Sequence, residues 1–119
     1  MTKTLNKDRV LTSKENATEI VTIIMDLLDA GKAEEIVKID LEGKADFAHY
    51  VVVASGRSSR HTSSLGSEII AKLKSLGMDH IGVEGQEVGD WVLVDAHDVI
   101  INIFRPEVRE NYDIERIWN

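Results

Sequence analysis

The chain has no cysteine and one proline in 119 residues, and aromatic side chains make up only 5% of it. Without cysteine there is neither a disulfide nor a thiolate metal site, a composition that suits a reducing compartment. Long apolar runs are also missing. The best of them, such as Tyr50–Ala54 and Val99–Ile101, fall far below the roughly 20 residues that cross a bilayer. Met1 to Glu15 holds no apolar stretch, so it does not read as a secretory signal, and it is too short and too poor in Ser and Arg to read as a transit peptide. A soluble cytoplasmic protein is expected, with no membrane association. Between Asp79 and Phe104 there are six carboxylates and no Lys or Arg. Such a segment repels a phosphate backbone, which argues against direct DNA binding through it. It would attract a basic protein. The overall charge of −7 also serves solubility alone.

What is present is enough for one domain. A chain of this length buries roughly two-thirds of the surface its unfolded form exposes. Residues 1–14 lack apolar periodicity and are expected to form a flexible N-terminal arm, with a single domain over residues 15–119. Ala17, Ile20, Val21, Ile24 and Leu28 fall at helical spacing, and Gly31 follows as a stop signal. Val37, Ile39 and Leu41 alternate with Lys38 and Asp40, predicting a half-exposed strand. FAHYVVVA, residues 47–54, predicts a strand buried on both faces. Ser58 and Ser59 are N-cap candidates for a helix carrying Leu65, Ile69, Leu73 and Leu76, which Gly77 closes. A short strand around Ile81–Val83 is followed by strands at Trp91–Val94 and Val99–Phe104, expected as antiparallel neighbours. Pro106 suits the first turn of a last helix. Tyr112, Ile114, Ile117 and Trp118 give the tail an apolar side that should dock on the body. The order α-β-β-α-β-β-β-α predicts an α+β fold with a mixed five-stranded sheet.

Chemistry could reside in three places. Asp95, His97 and Asp98 lie within four residues and, with Asp46 and His49, could ligate a divalent ion. Asp also suits turns, where its carboxylate caps nearby N–H groups, and the hairpin-tip reading is preferred. In ASGRSSRHTSS, residues 54–64, Arg57, Arg60 and His61 flank a helix start, as an anion site would require. However, neither phosphate-loop pattern is present, nor is G-x-S-x-G, so an ordinary helix cap is preferred. His49 reads as a half-buried strand residue, His61 and His80 have no evident partner, and Glu34-Glu35 reads as solvated charge. Trp91 begins a strand in the most acidic part of the chain. It is either a core filler or the aromatic anchor of an interface.

Several motifs resemble one family. S-G-x-S-x-R-H (55–61), V-E-G (83–85), D-W-V-x-x-D (90–95), D-V-I-x-x-x-F (98–104) and E-R-x-W (115–118) occur in order between Ala17 and Trp118. Each is ordinary, but together they resemble the ribosomal silencing factor family, also called Iojap-like. The resemblance implies an α/β sandwich of nucleotidyltransferase-like topology without catalysis or a cofactor. It also implies a translational repressor that binds the large ribosomal subunit through ribosomal protein L-fourteen. By occupying that face it would block joining of the small subunit when nutrients are scarce.

The partner-binding residues it implies are Trp91, Val92, Leu93, Val94, Asp95 and Asp98, with Trp91 as the anchor and Asp95 or Asp98 meeting Lys or Arg. Two positions depart from the family pattern. His97 stands where Gly is usual, which matters if that turn needs a positive φ. Asn102 stands where His is common, so no proton switch operates there. One rival reading is a nucleotide-binding or nucleotidyl-transferring enzyme using Ser55, Gly56, Ser58 and a carboxylate among Asp46, Asp95 and Asp98. Another is a homodimer in the free state that acts as an assembly adaptor, since an exposed strand edge invites pairing.

Overall fold

The periodic stripe from Ala17 to Leu28 becomes helix α1 (Ser13–Ala30) in a computed structural model, which describes residues 13–112. The helix therefore starts two residues inside the expected arm, and the rest of the arm lies outside the described residues. Gly31 N–H still donates to the Leu27 carbonyl, 2.9 Å away, and the left-handed residue that turns the chain is Lys32, at φ 68°. Gly31 is small for another reason: a Cβ there would lie 2.6 Å from Leu65 Cδ2.

Strand β1 (Glu34–Asp40) is half-exposed as the alternation predicts, with Ile39 buried and Lys38 and Asp40 exposed. A bulge between Glu34 and Val37, with Glu35 at φ 47°, breaks the alternation at its start, and both glutamates are exposed. Strand β2 (Tyr50–Ser55) is wholly buried, but it begins later than the apolar run suggests. The chain turns at Leu41, whose carbonyl accepts from Lys44 and Ala45, and Phe47 is left 56% exposed in the following loop. Pairing starts only where the Asp98 carbonyl receives the His49 and Tyr50 N–H groups.

Helix α2 (Ser59–Ser75) is capped by Ser58, whose hydroxyl accepts the His61 N–H, and it buries Leu65, Ile69 and Leu73. Then come β3 (Gly82–Glu84), β4 (Trp91–Asp95), β5 (Val99–Phe104) and α3 (Pro106–Tyr112). The sheet order is β1-β2-β5-β4-β3. Only β2 and β5 pair in parallel, so the sheet is mixed, as predicted. The strand that returns in parallel after α2 is β5, while β3 lands at the far edge as the antiparallel partner of β4.

The two faces of the sheet differ. Helices α1 and α2 cover one face, where Ile20, Ile24, Leu65 and Leu73 meet Val52, Val92, Val94 and Ile101 in the main core. On the other face a smaller cluster forms from Ile39, Leu41, Ala48, Val51, Val53 and Phe104, with Trp91, Ile100 and Val108 partly buried against it. The expected apolar contacts of the tail, from the Tyr112 side chain to Trp118, lie outside the described residues. No described helix is long and apolar enough to cross a membrane.

Candidate functional site

Strand alternation decides what β4 can offer a partner, because successive side chains point to opposite faces. Val92 and Val94 are 0% exposed and enter the core beneath the helices. Trp91, Leu93 and Asp95 are half-exposed on the opposite face. Five consecutive side chains cannot meet one partner from a paired strand, so Val92 and Val94 leave the expected contact set. They support the face from below. The register sets Trp91 opposite Phe104, Leu93 opposite Asn102 and Asp95 opposite Ile100. The Trp91 ring stacks on Phe104 with centroids 4.9 Å apart and planes inclined by 29°. Its Nε1–H donates across the diagonal to Asn102 Oδ1 at 3.0 Å. Trp91 thus partly fills the smaller core and partly faces outward.

Residues missed in the sequence fix the lower end of β4. Arg105 N–H donates to the Asp90 carbonyl at 3.0 Å, and Arg105 Nε reaches Asp90 Oδ1 at 2.9 Å. The Ser59 hydroxyl bonds the same carboxylate oxygen from the start of α2. Thr62 Oγ1 donates to the Gly89 carbonyl, and Ser63 Oγ to that of Gln86. The loop into Trp91 is therefore stitched to α2 and to the residue preceding α3. An Asp before a strand and an Arg after its partner was the available signal, since an antiparallel pair brings those ends together.

At the upper end, Asp95, His97 and Asp98 form a turn. Asp95 Oδ1 accepts the His97 N–H at 2.9 Å, Ala96 N–H donates to the Val99 carbonyl, and His97 takes φ 68°. The condition under which His97 in place of Gly matters therefore holds. Among the described residues no group of three or more His, Asp or Glu is placed to hold a metal. The run from Asp95 to Asp98 is the tip of the β4–β5 hairpin.

The residues of the nucleotide rival do not converge. Ser55 pairs with Phe104 at one end of β2, whereas Asp98 sits beside the other end, where β2 begins at Tyr50. Five residues of strand separate the two ends, about 17 Å. Asp46 lies with Asp98, lining the same surface hollow. Ser55 Oγ is taken by the Nη1 of buried Arg109 at 2.8 Å. Gly56 is required by close packing, since a Cβ there would meet Thr62 Cγ2 at 2.6 Å. His61, which shows no evident partner in the sequence, is held at both nitrogens: Nδ1 accepts from Arg57 N–H at 2.9 Å, which leaves Nε2 to donate to the Gly31 carbonyl at 2.8 Å. Away from the β4 face, Lys14 Nζ and Asp40 Oδ1 pair at 2.8 Å. This contact lowers the Asp40 pKa from 3.8 and raises that of Lys14 from 10.5.

Comparison with known proteins identifies the family. The family profile described as "Ribosomal silencing factor during starvation" matches residues 14–119. A ribosomal silencing factor of Zymomonas mobilis is 42% identical over 99 residues, covering 83% of this chain and 74% of that protein. A mouse protein named for mitochondrial assembly of the ribosomal large subunit is 28% identical, over 82% of this chain and 44% of its own. A crystal structure from Chromobacterium violaceum superposes with a TM-score of 0.82 at 37% identity, covering 86% of this chain and 85% of that one. One from Bacillus halodurans gives a TM-score of 0.77 at 25% identity, with 85% and 94% covered. The chain belongs to the ribosomal silencing factor family.

Proposed function

We propose that this chain silences translation by binding the large ribosomal subunit through ribosomal protein L-fourteen and standing where the small subunit would dock. The observation that carries the reading is the half-exposed row Trp91, Leu93 and Asp95 on the sheet face away from α1 and α2. Trp is among the residues most enriched at the energetic centre of interfaces. Asp98, on the adjoining turn, adds a second carboxylate. The acidity of the Asp79–Phe104 stretch complements a basic ribosomal protein. The family description and the name of the mouse relative support a ribosomal partner. The action is steric, and no bond is made or broken.

Co-sedimentation with isolated large subunits tests this. Wild type should pellet with them and reduce joining when small subunits are added. Trp91→Ala should bind at least about 30-fold more weakly, the loss of an aromatic hot spot. Equal pelleting of both proteins would refute the assigned face. Failure of wild type to pellet would refute the partner.

A further inference from the structure

Asn102 is the one polar side chain in β5, VIINIF, and it is 3% exposed in the strand at the middle of the sheet. Its neighbours in register are Val53 on β2 and Leu93 on β4, which offer it no side-chain hydrogen bond. Burying an amide is costly unless it is bonded, and packing alone would favour another aliphatic residue, as at Ile100, Ile101 and Ile103. The position makes sense through Trp91. Indole has one donor and no acceptor, and that donor goes to Asn102 Oδ1 while the ring lies against Phe104. Two contacts, one polar and one stacked, fix both torsions of a half-exposed side chain.

We infer that Asn102 is the positioning residue of the docking face, holding the Trp91 ring in its docked orientation, and that the recess Trp91 enters on the partner is apolar. The inference rests on the proposed use of this face. Because the indole N–H is already bonded within the protein, the partner need supply no acceptor for it, and aliphatic walls suffice. The ordering of the ring is met on folding rather than on binding, which strengthens association.

The test reads the free protein and the complex separately. In the free chain, the Trp91 indole 1H–15N signal is distinguished from that of Trp118 with Trp118→Phe. Asn102→Leu should shift that signal, speed its exchange with water and weaken binding to isolated large subunits by about three- to tenfold, the worth of one ordered side chain. Asn102→His at pH 8, where a neutral imidazole offers an acceptor, should restore both. Trp91→Phe lacks the N–H and should bind at least about tenfold tighter than Trp91→Ala, because apolar contact dominates such anchors. An unchanged indole signal in Asn102→Leu would overturn the positioning role. So would wild-type affinity in Asn102→Leu while Trp91→Ala loses binding, a result that leaves the docking face standing. Trp91→Phe binding no better than Trp91→Ala would overturn the apolar recess. If Trp91→Ala binds like wild type, the face itself is wrong and the inference falls with it.

Discussion

Alanine at Val94 and alanine at Leu93 should have opposite consequences, although the residues are adjacent. Val94 is 0% exposed and packs in the core under α1 and α2. Val94→Ala removes two methyl-sized groups, about 0.8 kcal/mol each in transfer. With the cavity left behind the cost is about 2–3 kcal/mol. In a domain of this size that lowers the melting temperature by about 8–15 °C. Once folded, the variant should bind large subunits as wild type does, because the outward face is untouched. Leu93 is half-exposed on that face. Leu93→Ala should cost less than about 1 kcal/mol of stability and weaken docking by about 5- to 30-fold, the range of a residue beside a hot spot. Thermal unfolding by circular dichroism and a binding titration against isolated large subunits measure both. If Val94→Ala loses affinity while folded, or Leu93→Ala unfolds as early as Val94→Ala, the assignment of the two faces is wrong.

Two further outcomes follow from local geometry. His97→Gly should raise stability by about 0.5 kcal/mol, since relief of a left-handed side chain exceeds the entropy glycine adds to the unfolded chain; a lower urea midpoint would contradict the strain at φ 68°. The Lys14–Asp40 pair makes the stability gap between wild type and Asp40→Asn depend on pH. The Asp40 pKa is lowered on folding, so its contribution is present above 3.8 and is lost as pH falls through the folded value; the Lys14 pKa is raised, so its contribution is lost only as pH climbs past 10.5. A gap in urea midpoint that does not narrow as the pH is lowered below 3.8 would refute this pairing.

The sequence carried the element order because each signal was local. Helical spacing in α1, the Ser58 cap on α2 and the apolar hairpin around Asp95–Asp98 each lie within a few residues. Mispredictions arose where distant packing ruled. Phe47 belongs to the apolar run of β2 by composition, yet pairing begins only where the Asp98 carbonyl takes the N–H groups of His49 and Tyr50. Gly31 ends α1 as read, though the space it saves, which belongs to Leu65 on the other helix, lay beyond any local signal. At the site, Trp91 was conspicuous as an aromatic among carboxylates. Val92 and Val94 joined it through the family resemblance, and strand alternation turns both into the core. Asn102 was visible as a polar break in an apolar strand, but its link to Trp91 appears only once the hairpin register puts Leu93 opposite Asn102.

The place of β5 in the sheet bears on how the chain must assemble. Strand β1 pairs with β2, its neighbour in the chain, and β3, β4 and β5 form a second local meander. The two pieces join only along β2–β5, whose paired residues are separated by 49 positions, from Tyr50 to Val99. That long loop closure must be met before the joined sheet returns any stabilisation. A nascent chain that has not yet delivered Phe104 lacks the ring on which Trp91 stacks. The outward face is therefore incomplete until β5 has been made, yet the β4–β5 hairpin that carries it does not depend on the β2–β5 closure.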